Sequence, residues 1–260
     1  MVYGVTQGGR TGVFSKRADG DDEEEVLVRE EDSLGPVSDS WIPGSDSFVY
    51  TVVGGRGGLD LKRGTRGSDQ AEDWLAGEAA ECCFSPSPDG RWAVYASNEA
   101  GRFEVYVRRI DGSGRWQITS DGGHGPIWSK DGAEIFFTRG RRVFAVPVKT
   151  APTFAPGEPV ELFRFDFERM AEPWHSFDVS RDGQRFLMVE RSFDTPVPRQ
   201  IDLITGFAAR HRPVNEGLQD YARRPRASRA PPAVDVELTV RAQWPRVVRP
   251  LGSQDDHCST

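Results

Sequence analysis

Cysteine, methionine and histidine are scarce in this 260-residue chain: three Cys, three Met and four His. Cys82 and Cys83 are adjacent and Cys258 stands far from them, a spacing that makes neither a disulfide framework nor a metal-ligand set. The pair reads as small buried side chains on a strand, with a vicinal redox pair as the alternative. Long apolar runs are missing too. No stretch approaches the length of a membrane span, and MVYGVTQGGR at the start has no apolar core of signal-peptide length. The expectation is a cytoplasmic chain as written, periplasmic or extracytoplasmic if it belongs to a longer exported or anchored one. Neither the phosphate-loop pattern nor His-Glu-x-x-His nor Gly-x-Ser-x-Gly occurs, which removes the common nucleotide, zincin and hydrolase signatures. Asp60-Leu61-Lys62 superficially resembles a kinase catalytic loop but lacks the preceding His-Arg and the following Asn. No catalytic residue, cofactor or metal ligand is expected.

Basic charge is also short. The net charge is −7, which argues against a general nucleic-acid binder. The average hides an asymmetry: residues 19–32 hold nine acids and one Arg, whereas residues 206–250 hold nine Arg and four acids. The acidic run from Asp19 to Glu25 lacks the ligand spacing and central Gly of an EF-hand loop and reads as a solvated hairpin turn. The Arg-rich end (Arg223, Arg224, Arg226, Arg229) has no interleaved aromatics and no amphipathic pattern, so nucleic-acid or membrane contact is not expected of it.

What the chain does have is a repeated phrase. Trp128-Ser129-Lys130-Asp131-Gly132-Ala133-Glu134-Ile135-Phe136-Phe137 returns as Pro86-Ser87-Pro88-Asp89-Gly90-Arg91-Trp92-Ala93-Val94-Tyr95 and as Val179-Ser180-Arg181-Asp182-Gly183-Gln184-Arg185-Phe186-Leu187-Met188. A degraded copy runs from Trp41 to Tyr50. The phrase ends at 50, 95, 137 and 188, at intervals of 45, 42 and 51 residues. A period near 40–45 with several short strands per unit is the pattern of a β-propeller blade.

Between copies the syntax is that of a four-stranded antiparallel blade. Trp92 and Val94 alternate on a half-buried strand; Phe103, Val105 and Val107 alternate on the next. Asp111-Gly112-Ser113-Gly114 turns the chain, Trp116-Gln117-Ile118-Thr119 is a further strand, and Asp121 to Pro126 crosses to the next blade. Val2–Thr6, Gly12–Arg17 and Glu25–Val28 supply three strands with no innermost one before them. Residues 47–75 make the weakest blade, with Gly54–Gly58 and Gly64–Asp69 loop-like. Ile135–Thr138, Val143–Val148 and Pro159–Phe165 follow, then a long crossover from Asp166 to Ser176. Phe177–Val179, Arg185–Val189 and Gln200–Thr205 make a last, incomplete unit. The fold class is therefore all-β: four to five partial propeller blades over 1–205, beginning and ending in mid-blade, with ring closure left open and room for association with missing blades or a second copy. From 206 to 260 the pattern stops. Six Pro and few aromatics cannot bury enough surface to offset ordering entropy, so this tail is expected to be disordered, with Val234–Val240 as one short strand.

Phe84-Ser85-Pro86 leading into Pro88-Asp89-Gly90-Arg91-Trp92, with Ser97-Asn98-Glu99 after it, resembles the WD40-like repeat of TolB-type propellers. The run from Phe84 through Val148, then Phe177 through Val189, resembles more closely the propeller carboxy-terminal to the kinase domain in bacterial serine/threonine protein kinases. That resemblance implies a non-catalytic propeller used for protein or peptide binding, as sensor or scaffold. It implies that Asp89-Gly90, Asp131-Gly132 and Asp182-Gly183 are structural turns and that Trp41, Phe84 and Trp128 fill the space between blades. Departure from the family begins after Ile201-Asp202-Leu203-Ile204. His124, Trp174 and His175 lie in crossovers just before innermost strands; the histidines read as solvated loop residues, with a ligand-lining role on the rim of adjacent blades as the alternative. Two other readings stand beside this one: the gating propeller of a prolyl-oligopeptidase-type peptidase without its hydrolase domain, and a truncated remnant with no independent role, which poor solubility from exposed blade edges would favour.

Overall fold

The computed structural model describes residues 2–7, 10–17, 23–30, 33–165, 174–175, 177–183, 185–190 and, by backbone, 235–240. Every regular element among them is a strand. The chain divides into two compact units, Met1–Trp128 and Ser129–Thr260.

In the first unit, β1 (Val2–Gln7), β2 (Arg10–Ser15) and β3 (Glu25–Arg29) form one antiparallel sheet in chain order. β4 (Gly35–Trp41), β5 (Ser47–Val53), β6 (Leu59–Thr65) and β7 (Ala71–Leu75) form a four-stranded meander. β8 (Glu81–Pro86), β9 (Trp92–Ser97), β10 (Glu104–Arg109) and β11 (Arg115–Gln117) form another. β12 (His124–Trp128) completes the unit. In the second, β13 (Glu134–Arg139) and β14 (Arg142–Lys149) are a hairpin, with β15 (Ala155–Pro156) and β16 (Val160–Arg164) both on β14. β17 (Phe177–Val179) and β18 (Arg185–Glu190) pair antiparallel, and β19 (Asp235–Val240) lies parallel to β18. Four-stranded antiparallel sheets repeating along an all-β chain are the propeller blades that the repeat predicts.

The repeated phrase folds the same way each time. Ser87, Ser129 and Ser180 donate their hydroxyls to Asp89, Asp131 and Asp182 at 2.5–2.6 Å. Each hydroxyl oxygen then accepts the amide of Trp92, Glu134 or Arg185. The glycine amide closes the turn onto the serine carbonyl, and Gly90, Gly132 and Gly183 sit at φ 67°, 74° and 69°. That left-handed backbone is why glycine recurs there. In the degraded copy Ile42 replaces the serine and the positive φ moves to Gly44, yet the backbone bonds survive: Ile42 N–H to Ser47 and Ser45 N–H to Ile42.

Aromatic side chains fill the gaps between sheets. Phe84 is 1% exposed and packs with Ile42, Val49, Leu61, Tyr95 and Tyr106, drawn from β5, β6, β9 and β10 and from the turn after β4. Trp41, half-buried, rests against Val13, Leu27, Val28, Phe48 and Tyr50 of β2, β3 and β5. In the second unit Phe186 meets Phe136 and Phe163 edge-on. Trp128 is 2% exposed and donates its amide to Ser85 Oγ at 3.3 Å.

Three details differ from the sequence reading. Residues 47–75 are as regular as the other blades, and Gly64 lies inside β6, not in a loop. Its glycine is demanded by packing: a Cβ there would stand 2.3 Å from Phe48 Cζ. All six residues of β9 are buried, so the expected half-buried alternation gives way to a strand covered on both faces. Finally, β19 is parallel to its neighbour, unlike the antiparallel strands elsewhere. The strand expected at 200–205, the acidic residues 19–22, most of the crossover 166–176 and the remainder of the tail lie outside the described residues.

Candidate interaction rim

Antiparallel meanders send alternate connections to opposite ends of the sheets. In the first unit, residues 33–34 before β4 and crossovers 76–80 and 118–123 share one end with the β5–β6 turn (54–58) and the β9–β10 turn (98–103). Hydrogen bonds tie them together. Leu34 donates its amide to Val53, Asn98 exchanges bonds with Ala80, and Gly123 donates to Phe103.

His124 opens β12 at this end, its ring against Phe103 with centroids 5.7 Å apart. The loop that delivers it is fixed by a buried carboxylate. Glu104, 1% exposed, accepts from Thr119 Oγ1 at 2.5 Å, from the Gly122 amide at 2.9 and 3.0 Å and from Arg102 at 2.8 Å. Thr119 in turn accepts the Val105 amide. A charge buried this deeply is tolerated because its oxygens are saturated. Trp174 and His175 belong to the second unit and are half-buried.

Reading the sequence missed the acidic part of this rim. Asp60, 6% exposed, accepts the amides of Arg56 and Gly57. This gives the kinase-like Asp60-Leu61-Lys62 a structural meaning: Asp60 holds the turn, Leu61 is core, and Lys62 bonds Glu30 at 3.2 Å. Glu81, at the start of β8, is 7% exposed; one oxygen lies 3.5 Å from the Ser97 hydroxyl, while Oε2 has no hydrogen-bond partner among the described residues. Burial, then the charges of Asp60 and Glu99, push its carboxyl up to about 7. Glu99 is paired with Arg115 at 2.6 Å. A Glu flanking the apolar Cys82-Cys83-Phe84 run looks like an ordinary exposed strand end in sequence; only the neighbouring turn encloses it. No group of three or more His, Cys, Asp or Glu among the described residues is arranged to hold a metal ion.

Deeper in the unit, Cys82 and Cys83 are fully buried, with sulfurs 3.0 Å apart. Cys83 has φ 64° at the bulge where β8 shifts register against β9. Burial, then the adjacent Cys82 sulfur and Asp39, raise its thiol well above the usual range. For Cys83 that is the opposite of a reactive thiolate, and both side chains are enclosed in the core. Asp39, on the bulge of β4, is pushed up to about 8 by burial despite accepting from Thr51 and the Phe84 amide.

No protein-family model and no curated protein matches this chain. Among solved structures it is similar to a nidogen in a nidogen/laminin complex, at 9% identity over 73% of this chain and 69% of that one, with a TM-score of 0.53. A TolB from Agrobacterium tumefaciens aligns at 22% identity over 60% of this chain and 57% of its own, TM-score 0.48. TolB from Acinetobacter baumannii aligns at 17% over 59% and 50%, TM-score 0.36. The chain thus spans little more than half the length of the TolB structures that it matches. What the likeness to the nidogen structure carries is architecture, and that architecture is the β-propeller.

Proposed function

We propose that this chain is a non-catalytic propeller module that binds a protein or peptide through its rim loops, as a piece or relative of the propeller attached to bacterial serine/threonine kinases. The observation that carries the reading is the Glu104 network, which holds crossover 119–123 and the start of β12 in one geometry. Loops ordered before binding lose little entropy when a partner docks, which favours recognition. The nidogen structure with the same architecture was solved as a complex with laminin. The test is affinity capture by the full chain followed by quantitative comparison with His124→Ala and Trp174→Ala. Partners that bind the wild-type chain and are lost with either variant support rim binding; an unchanged set of partners contradicts it.

A further inference from the structure

Two buried polar atoms at this one end of the first unit have no hydrogen-bond partner among the described residues: Glu81 Oε2 and Ser33 Oγ. Buried polar groups are nearly always paired, so each orphan points to a missing partner. Among the described residues no cation is hydrogen-bonded to Glu81. Asp60 is already engaged by two backbone amides, and Arg115 is spent on Glu99. Glu78, exposed two residues after the crossover begins, adds negative charge, against which Arg56 is the one further cation in the 54–58 turn.

Next to this acidic group stands Leu34, 77% exposed, the most exposed of the large apolar side chains described. It lies against the 54–58 turn, where a Cβ on Gly54 would be 3.3 Å from its Cγ. The same turn backs onto Asp60 and the residues leading into Glu81: a Cβ on Gly55 would be 2.0 Å from Asp60 Oδ2, and one on Gly57 1.9 Å from the Ala79 carbonyl. Four glycines in five residues therefore link an apolar contact to an undercompensated carboxylate, with almost no side chain to move aside.

We infer that this strip binds an extended, lysine-bearing segment of a partner protein, with an apolar residue over Leu34 and an ammonium delivered to Glu81 and Asp60. Charge complementarity selects the occupant. An ammonium brings three donors on a compact head, enough for the buried Glu81 oxygen, unpartnered among the described residues, and a second carboxylate. A metal ion is disfavoured by the want of a third properly placed ligand among the described residues. The inference rests on the rim-binding reading and specifies its ligand.

The test is fluorescence anisotropy with the full chain at physiological salt, using labelled octapeptides of alternating leucine and lysine, leucine and serine, or leucine and glutamate. The leucine–lysine peptide should bind about tenfold more tightly than the leucine–serine one, with the leucine–glutamate peptide weakest. Glu81→Gln, which keeps the shape and removes the charge, should weaken the leucine–lysine peptide about fivefold and leave the leucine–serine peptide unchanged. Leu34→Ser should weaken both. Asp111→Asn, in the β10–β11 turn at the opposite end, should change nothing. Equal binding of the lysine and serine peptides, no effect of Glu81→Gln, or an equal effect of Asp111→Asn (attraction to net charge alone) would each overturn the assignment. If captured partners are lost with His124→Ala but kept with Glu81→Gln, rim binding survives and the lysine-bearing ligand does not.

Discussion

Replacing Glu81 by Gln should make the protein more stable at alkaline pH. The carboxyl sits at about 7 instead of 4.5, so the folded chain holds a proton that the unfolded chain releases. The stabilisation linked to that proton is complete below pH 4.5 and disappears as pH rises through 7. At about 1.4 kcal/mol per unit the shift corresponds to roughly 3 kcal/mol. Solvent at the end of the sheet screens it, leaving about 1–2 kcal/mol. Asp39, raised to about 8, adds a second decline of the same sign over pH 3.8 to 8. Urea unfolding of the wild-type chain should therefore show stability falling from pH 5 to pH 9. Glu81→Gln should flatten the part below pH 7.5 and raise the midpoint at pH 8, while leaving Asp39's decline in place. A variant that is less stable than wild type at pH 8, or that keeps the full slope between pH 5 and 7, would refute the placement of Glu81 among Asp60 and Glu99.

Phe84→Ala, which empties the space between two sheets, should cost about 3–5 kcal/mol in urea unfolding. Gly64→Ala should destabilise by about 1–3 kcal/mol because its methyl meets the Phe48 ring, and Phe48→Leu in the same chain should recover part of the loss. Ser129→Ala should cost about 1 kcal/mol, since the hydroxyl serves both Asp131 and the Glu134 amide, and the equivalent Ser87→Ala should match it. Glu104→Gln should weaken the hold on residues 119–123, read as faster amide exchange at Gly122 and Val105 with little change at Tyr95.

Most of the architecture was legible because the phrase that repeats is the phrase that folds. Ser, Asp and Gly at fixed spacing write the turn bond by bond, and the apolar residues after it write the strand. The regularity of residues 47–75 was not legible. Gly64 looks like a loop residue until Phe48, sixteen positions earlier, is placed over it. The full burial of β9 was hidden for a similar reason, because alternation reports one covered face and cannot report a second. His124 reads as a crossover residue, but the strand begins three residues earlier than the sequence suggests, so His124 is the first residue of β12 and not part of the loop before it. Glu81 and Asp60 could not be found, since their meaning comes from a turn, a crossover and a neighbouring sheet brought to one end. Local spacing is silent about such encounters.

The account stands on consecutive strands pairing as antiparallel meanders between Ser-x-Asp-Gly turns. Backbone nuclear Overhauser effects on the deuterated full chain test this most directly. Cross-strand contacts are predicted at Tyr95 with Tyr106, Val49 with Arg63 and Ile135 with Val146. Sequential amide–amide contacts of helical type through these segments, or pairing offset by a residue from these partners, would contradict it.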